Sequence, residues 1–118
     1  QQTGADAVIS LHLNSSTNPE ASGVEVWYRY QYQKPFAEKM LNALHNAFPQ
    51  LPSRGIHKRA LAILNTKCPA ALLEIGFISN KDDMAVVAPH NAELFRSKRI
   101  LFAEEILKQL VSVSTLPR

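Results

Sequence analysis

The sequence is poor in cysteine, and it has no long apolar run. Cys68 is the only cysteine in the 118 residues, so an internal disulfide and a cysteine-based metal cluster are both excluded. We interpret Cys68 as a buried, inert thiol, because the sequence places no histidine or other base beside it. No apolar stretch approaches the roughly 20 residues that a membrane-spanning helix needs.

The sequence also has only a small excess of charge of one sign. The chain has 13 Lys and Arg against 10 Asp and Glu, a net charge of +3. Basic residues are adjacent only at positions 58–59 and 98–99, and no basic stripe with interleaved aromatic residues is present. The sequence therefore does not support a nucleic-acid partner, although its mild positive charge is compatible with an anionic surface or polymer.

The length is that of one small domain or part of one, and the hydrophobic fraction of 46% is ordinary for a globular chain. Gln1 is not an initiator methionine, so we expect a processed chain or a segment of a longer one. The lack of a signal peptide then carries no information about export.

A short apolar run, residues 70–75 (AALLEI), is the central element of the chain. It opens after a proline, closes at a glycine, and contains Glu74 as its one polar residue. Such a run predicts a buried strand of a parallel sheet. Glu74 falls at the carboxyl end of this strand, where open α/β sheets bind ligands. Two interpretations stay open: a functional carboxylate, or a side chain that leaves the sheet edge for water.

A second predicted strand, residues 7–13 (AVISLHL), ends at a histidine. Its period of two places Val8, Ser10 and His12 on one face. His12 is either a ligand or a hydrogen-bonded structural residue, and Asn14 lies on the same side, where we expect it to orient the imidazole.

The remaining pattern predicts an α/β fold, with a mixed, mostly parallel sheet and helices on both faces. Alternation in residues 23–28 indicates a strand near a sheet edge. The adjacent Asp82 and Asp83 are interpreted as helix-start residues rather than a metal site. The other expected elements are a helix over 35–48, a polar loop over 50–59, a strand over 60–64, a helix over 81–87, a helix from 89–91 to about 111, and a frayed tail over 112–118.

Two segments together resemble the zinc-dependent N-acetylmuramoyl-L-alanine amidases. Residues 5–14 read ADAVISLHLN and are similar to that family's ADxxISIHxN strand, and residues 69–80 read PAALLEIGFISN and are similar to its PAxLxExGFxSN segment. Residues 23–28 (GVEVWY) resemble its GVEVYY strand, and Arg54-Gly55 followed by residues 61–64 resembles its RG…LxVL stretch. The similarity covers essentially the whole chain, in the family's order and spacing.

This resemblance implies a zinc hydrolase, in which His12 is a zinc ligand and Glu74 is the catalytic carboxylate. Zinc lowers the pKa of its bound water to about 7, and a nearby carboxylate passes the proton to the leaving amine. The bond implied is the amide between N-acetylmuramic acid and L-alanine in peptidoglycan, which places the protein outside the cytoplasm. We also predict Asn14 and Arg54 as substrate-binding residues, with a solvated arginine as the alternative for Arg54.

The chain departs from the family pattern in two ways. The family places a further histidine and glutamate ligand before the strand that carries His12, where this chain has only residues 1–4. We therefore expect residues 1–118 to be a single partial domain, the carboxyl-terminal two-thirds of the amidase domain, and to be inactive alone. Residues 15–22 are too short for the inserted helix that blocks zinc in some relatives, so we expect no such block.

Two other functions stay open at this point. One is a non-catalytic peptidoglycan-binding or interaction module that kept the fold but lost the zinc site. The other is a different zinc hydrolase such as a carboxypeptidase, for which Arg54 is the only obvious candidate to bind a terminal carboxylate. The sequence makes no prediction of oligomeric state.

Overall fold

The computed structural model describes residues 6–114, and side chains over 6–111. Its sheet has four strands in the order β1-β4-β2-β3. β1 and β4 are parallel, β2 and β3 are parallel, and β2 and β4 are antiparallel. The bounds are β1 Val8–Asn14, β2 Val24–Tyr28, α1 Lys34–Ala47, β3 Ser53–Lys58, β4 Ala70–Phe77, α2 Lys81–Val87 and α3 Ala92–Ser114. The predicted α/β class with a mixed sheet is confirmed.

One face of the sheet forms the main core against the helices. Met40 and Leu44 on α1 are fully buried, and they pack with Val26 of β2 and Leu73 of β4. α1 forms because its apolar residues recur at helical spacing behind a proline in the first turn. α3 packs on α1, where Phe102 lies 5.5 Å from Phe48 between ring centroids. This face therefore supplies most of the apolar burial between the sheet and its helices.

The opposite face carries a smaller cluster and leaves room for polar groups. Leu64 is fully buried there against Ala70 and Leu72 of β4, with Trp27 of β2 packed beside them. Leu64 comes from a 3-10 turn, Ala62–Leu64, rather than from an α-helix. Beyond this cluster, toward the carboxyl end of β4, the same face carries Glu74.

The third strand lies earlier in the chain than predicted. Residues 60–64 were expected to be a strand, and the strand is instead Ser53–Lys58, within the segment interpreted as a polar loop. Within the described residues β3 pairs on one side only, and most of its polar and charged side chains are exposed, as is common for edge strands. Residues 23–28 were predicted to lie near a sheet edge, and β2 is the strand next to the edge strand β3, although it is itself paired on both sides.

The other helices agree with expectation in place. α2 spans Lys81–Val87, and α3 continues past the predicted end near Val111 to Ser114. The rest of the expected frayed tail, like residues 1–5, lies outside the described residues. Within the part of the chain that the structure describes, no helix combines the length and the apolarity needed to cross a bilayer.

Candidate active site

Three side chains lie in one row across three adjacent strands. His12 on β1 is in register with Glu74 on β4, and Glu74 is in register with Glu25 on β2. Directly opposed residues on neighbouring strands have Cβ atoms about 4.5–5.5 Å apart, so both neighbours are within contact range of Glu74. The structure thus brings together His12 and Glu74, as predicted, and adds Glu25.

Glu74 is half-buried, and its environment disfavours the charged form. Burial raises the pKa of its carboxyl above the ordinary value; His12 opposes this rise and the nearby Glu25 adds to it. Its Oε2 atom is buried and has no hydrogen-bond partner among the described residues. A buried carboxylate oxygen without a protein partner is costly, so this atom is suited to bind a water, a cation or a substrate group.

Glu25 is the most enclosed acid of the row, with 4% of its surface exposed. Its Oε1 accepts two hydrogen bonds, from Arg54 Nε at 2.8 Å and from Asn14 Nδ2 at 3.2 Å. The side-chain oxygen of Asn14, Oδ1, accepts the backbone N–H of Ser15, so both ends of the side-chain amide are hydrogen-bonded within the protein. Arg54 and Asn14, both predicted to bind substrate, therefore meet on one buried carboxylate.

An irregularity in β4 shapes the end of the row. The register slips between His12 and Asn14, so that Asn14 pairs with Phe77. Gly76 lies inside this slip at a φ of 85°, a conformation that glycine adopts without strain. Phe77 then lies under the Arg54 guanidinium, whose central carbon is 5.0 Å from the ring centroid.

His12 is exposed and is oriented from its own strand. Ser10 Oγ lies 2.9 Å from His12 Nε2, so serine rather than the expected Asn14 fixes the imidazole. The other histidines are elsewhere: His45 and His90 lie exposed on or near helices, and His57 on β3 bonds the carbonyl oxygen of Arg54 through Nε2 at 2.8 Å. His12 is the histidine that shares the row with Glu74.

A model of the Amidase_3 family, N-acetylmuramoyl-L-alanine amidase, matches residues 1–97. The chain belongs to the N-acetylmuramoyl-L-alanine amidase family. The match contains the whole row and both motifs that carried the resemblance, so the resemblance is confirmed. It ends within α3, whose remaining turns lie past the matched segment.

Similar proteins agree with this assignment. The probable cell wall amidase LytH of Staphylococcus aureus is 32% identical over 83 residues, which cover 70% of this chain and 28% of LytH. The catalytic domain of the amidase CwlV from Bacillus (Paenibacillus) polymyxa var. colistinus superposes with a TM-score of 0.75 at 29% identity, over 96% of this chain and 60% of that one. An N-acetylmuramoyl-L-alanine amidase from Clostridium difficile 630 superposes with a TM-score of 0.77 at 25% identity, again over 96% and 60%. This chain thus spans less than a third of LytH and 60% of each of the two solved structures.

The described residues do not complete a zinc site. They contain no group of three or more His, Cys, Asp or Glu side chains placed to hold a metal ion. Among the described residues, His12 and the unpartnered Oε2 of Glu74 are the features that fit a metal with its bound water. Zinc binding by this amidase family member therefore stays a prediction.

Sequence reasoning missed Glu25. Alternation within residues 23–28 indicated a strand near a sheet edge with one more exposed face, whereas Glu25 is buried and lies opposite Glu74. One signal was available: a glutamate in an otherwise apolar strand poses the same cost of burial that singled out Glu74.

Proposed function

We propose that this chain forms part of the active site of a zinc-dependent peptidoglycan amidase, which hydrolyses the amide between N-acetylmuramic acid and the L-alanine of the stem peptide. The observation that carries the proposal is the cross-strand pair of His12 and Glu74, in which Glu74 keeps a buried oxygen free. Family membership supplies the reaction class. The location that follows from such a substrate is extracytoplasmic.

Glu74 acts in this proposal as the acid–base residue. As a carboxylate it takes a proton from the attacking water, and as a carboxylic acid it gives that proton to the amine of the leaving L-alanine. The raised pKa of its carboxyl suits this exchange, because a catalytic group works best when its pKa is near the operating pH. The apolar neighbours Leu72 and Phe77, both buried, limit the access of bulk water along its strand.

His12 is proposed as one zinc ligand, with the other ligands supplied by residues outside those described. Support comes from its exposure beside Glu74 and from Ser10, which fixes the ring. Residues that orient a ligating histidine are typical of metal sites. Residues 1–118 by themselves are expected to hold no stoichiometric zinc and to lack hydrolase activity, since one histidine is too few for a zinc site.

The test uses the full-length protein that carries this sequence. Glu74→Gln is expected to retain zinc by elemental analysis and to lower kcat on muropeptides by about 10²- to 10⁴-fold. His12→Ala is expected to lose the metal as well as the activity. Glu38→Gln, an exposed change on α1, is the matched control and should behave as wild type.

Two results would contradict the proposal. Full activity of Glu74→Gln would remove Glu74 from the chemistry. Absence of both zinc and hydrolysis in the wild-type protein, together with retained binding to peptidoglycan, would favour the non-catalytic binding module.

A further inference from the structure

Arg54 is held at two points, and the hydrogen-bonding end of its guanidinium is left unused. Nε donates to Glu25 Oε1 at 2.8 Å, and the flat face of the group lies over the Phe77 ring. No hydrogen bond is made by either terminal nitrogen, Nη1 or Nη2, within the described residues. The Arg54 side chain is 45% exposed, whereas that of Glu25 is 5% exposed.

This arrangement differs from that of an arginine serving only as a counter-ion. An arginine whose role is to neutralise a carboxylate commonly pairs with it through two parallel N–H···O bonds. Here a single N–H, the one closest to the side-chain stem, meets Glu25, and the second hydrogen bond to that carboxylate oxygen comes from Asn14. The two Nη groups stay available at the surface.

The position of this group relates it to the reacting centre. Phe77 follows Glu74 along β4, and Glu25 is the cross-strand neighbour of Glu74. The Arg54 guanidinium therefore contacts the residue paired with the proposed acid–base residue, Glu25, and also the ring of Phe77, three residues further along the strand that carries Glu74. A group bound to Nη1 and Nη2 would belong to the same substrate molecule as the scissile amide.

The geometry points to Arg54 as the binding site for a free carboxylate on the peptide arm of the substrate, with Glu25 as the residue that positions its guanidinium. A carboxylate matches the fork of an arginine, whose N–H groups bind its two oxygens. Fixing Nε and the ring face in advance lowers the entropy lost when the substrate binds. This inference rests on the proposed amidase function, and it adds a specificity for the charge state of the stem peptide.

Glu25 sets a limit on the strength of the site. Its negative charge offsets part of the positive charge of Arg54, so a weakly charged or neutral group gains little from binding there. Converting the carboxylate to its amide is expected to cost about as much as the loss of one charge-assisted hydrogen bond. That loss corresponds to about 10- to 100-fold in affinity. Discrimination between a carboxylate and its carboxamide is therefore the diagnostic property.

The experiment compares two muropeptides that differ in one respect, free carboxylates or carboxamides on the peptide arm. The full-length wild-type protein is expected to show a KM about 10-fold or more lower for the free acid, with similar kcat. Separate amidation of the second residue and of the peptide C-terminus identifies which carboxylate is bound. Arg54→Gln is expected to treat all forms alike, whereas Arg54→Lys, which keeps the charge but loses the fork, retains a small part of the preference.

Further variants separate binding from loss of structure. Glu25→Gln keeps an oxygen for Arg54 Nε and should preserve most of the preference, while Glu25→Ala should lose it through KM rather than kcat. The double variant Glu25→Gln/Arg54→Gln avoids leaving a buried charge unpaired, and it should fold but not discriminate. Arg96→Gln, an exposed change on α3, is the matched control and should keep the wild-type preference.

Binding of the free stem peptide, measured by calorimetry, tests the inference independently of turnover. Tighter binding of the acid than of the amide, abolished in Arg54→Gln, supports the carboxylate site even if the hydrolytic proposal fails. Equal binding of acid and amide by the wild-type protein overturns it, and so does a preference that survives in Arg54→Gln. Failure of the amidase proposal appears separately, as undiminished hydrolysis by Glu74→Gln.

Discussion

Asp83 is expected to be a structural support of the active site, although it contacts none of the proposed catalytic groups. It is 1% exposed, on α2. Its Oδ2 accepts the backbone N–H groups of Gly23 and Phe77, each at 2.9 Å, and its Oδ1 accepts the Ser22 hydroxyl at 2.5 Å. One side chain thus ties the start of β2, which carries Glu25, to the end of β4.

The size of the effect follows from the groups left unpaired. Asp83→Ala removes the acceptor for two buried backbone N–H groups, and each unsatisfied buried donor costs about 1–3 kcal/mol. We therefore expect a loss of about 2–5 kcal/mol in the free energy of unfolding, allowing for partial rescue by water. Asp83→Asn keeps one carbonyl oxygen and loses one acceptor, so about 1–2 kcal/mol is expected by the same reasoning.

The assay is urea denaturation of the full-length protein, followed by circular dichroism. Asp82→Ala is the control, because Asp82 occupies the same helix turn but is exposed, and its favourable interaction with the helix dipole contributes only about 0.3–1 kcal/mol. If Asp83→Ala and Asp82→Ala unfold at the same urea concentration, Asp83 does not tie the strands together. A second readout is KM. Without the Asp83 hydrogen bonds, the register shift at Gly76 that places Phe77 under Arg54 is less well fixed, so Asp83→Ala should raise KM and weaken the substrate preference.

Three further changes test the fold. Leu44→Ala removes a fully buried side chain from the main core, and thermal or chemical unfolding should show a loss of about 2–5 kcal/mol. Gly23→Ala should be destabilising by more than 1 kcal/mol as a rough guide, because a Cβ there would lie 2.4 Å from the Pro52 carbonyl oxygen at a φ of 117°; a neutral result in the same assay would contradict this strain. Glu105 accepts hydrogen bonds from Lys108 and from Asn46, which lower the pKa of its carboxyl in the folded state. The ionised Glu105 carboxylate stabilises the fold fully at a pH above the pKa that Glu105 has in the unfolded chain. This stabilisation is lost as the pH falls through the lower pKa that Glu105 has in the folded protein. The free energy of unfolding of Glu105→Gln should therefore fall less in acid than that of wild type.

Local patterns were sufficient where burial and period agree. β1, α1, β4 and α2 each have a sequence whose apolar spacing matches one type of element, and the structure places them where the pattern indicates. The proposed catalytic pair followed as well, because His12 and Glu74 both lie in the carboxyl-terminal halves of their strands, and the carboxyl ends of parallel strands lie at the same edge of a sheet.

The pattern failed where tertiary contacts decide the outcome. Residues 60–64 are apolar enough for a strand, yet Leu64 turns inward in a 3-10 turn while Ile63 is 54% exposed. The Gln33 side chain holds that turn, since its Nε2 donates to the Leu64 carbonyl oxygen at 3.0 Å. Ser53–Lys58 pairs at the sheet edge through backbone bonds that make little demand on side chains, so its polar sequence gives no strand signal.

The role of Glu25, and its contact with the predicted substrate-binding residue Arg54, were hidden for a topological reason. The rule that sites form at the carboxyl ends of strands finds His12 and Glu74, but β2 runs antiparallel to β4. The beginning of β2 therefore meets the end of β4, and β3, parallel to β2, brings the beginning of its own strand to the same edge. Glu25 and Arg54 stand at those beginnings, so one antiparallel pair inside an otherwise parallel arrangement adds a second carboxylate and an arginine to the site. Because strand order is decided by long-range packing, the contact between Glu25 and Arg54 follows from the fold and not from a local motif.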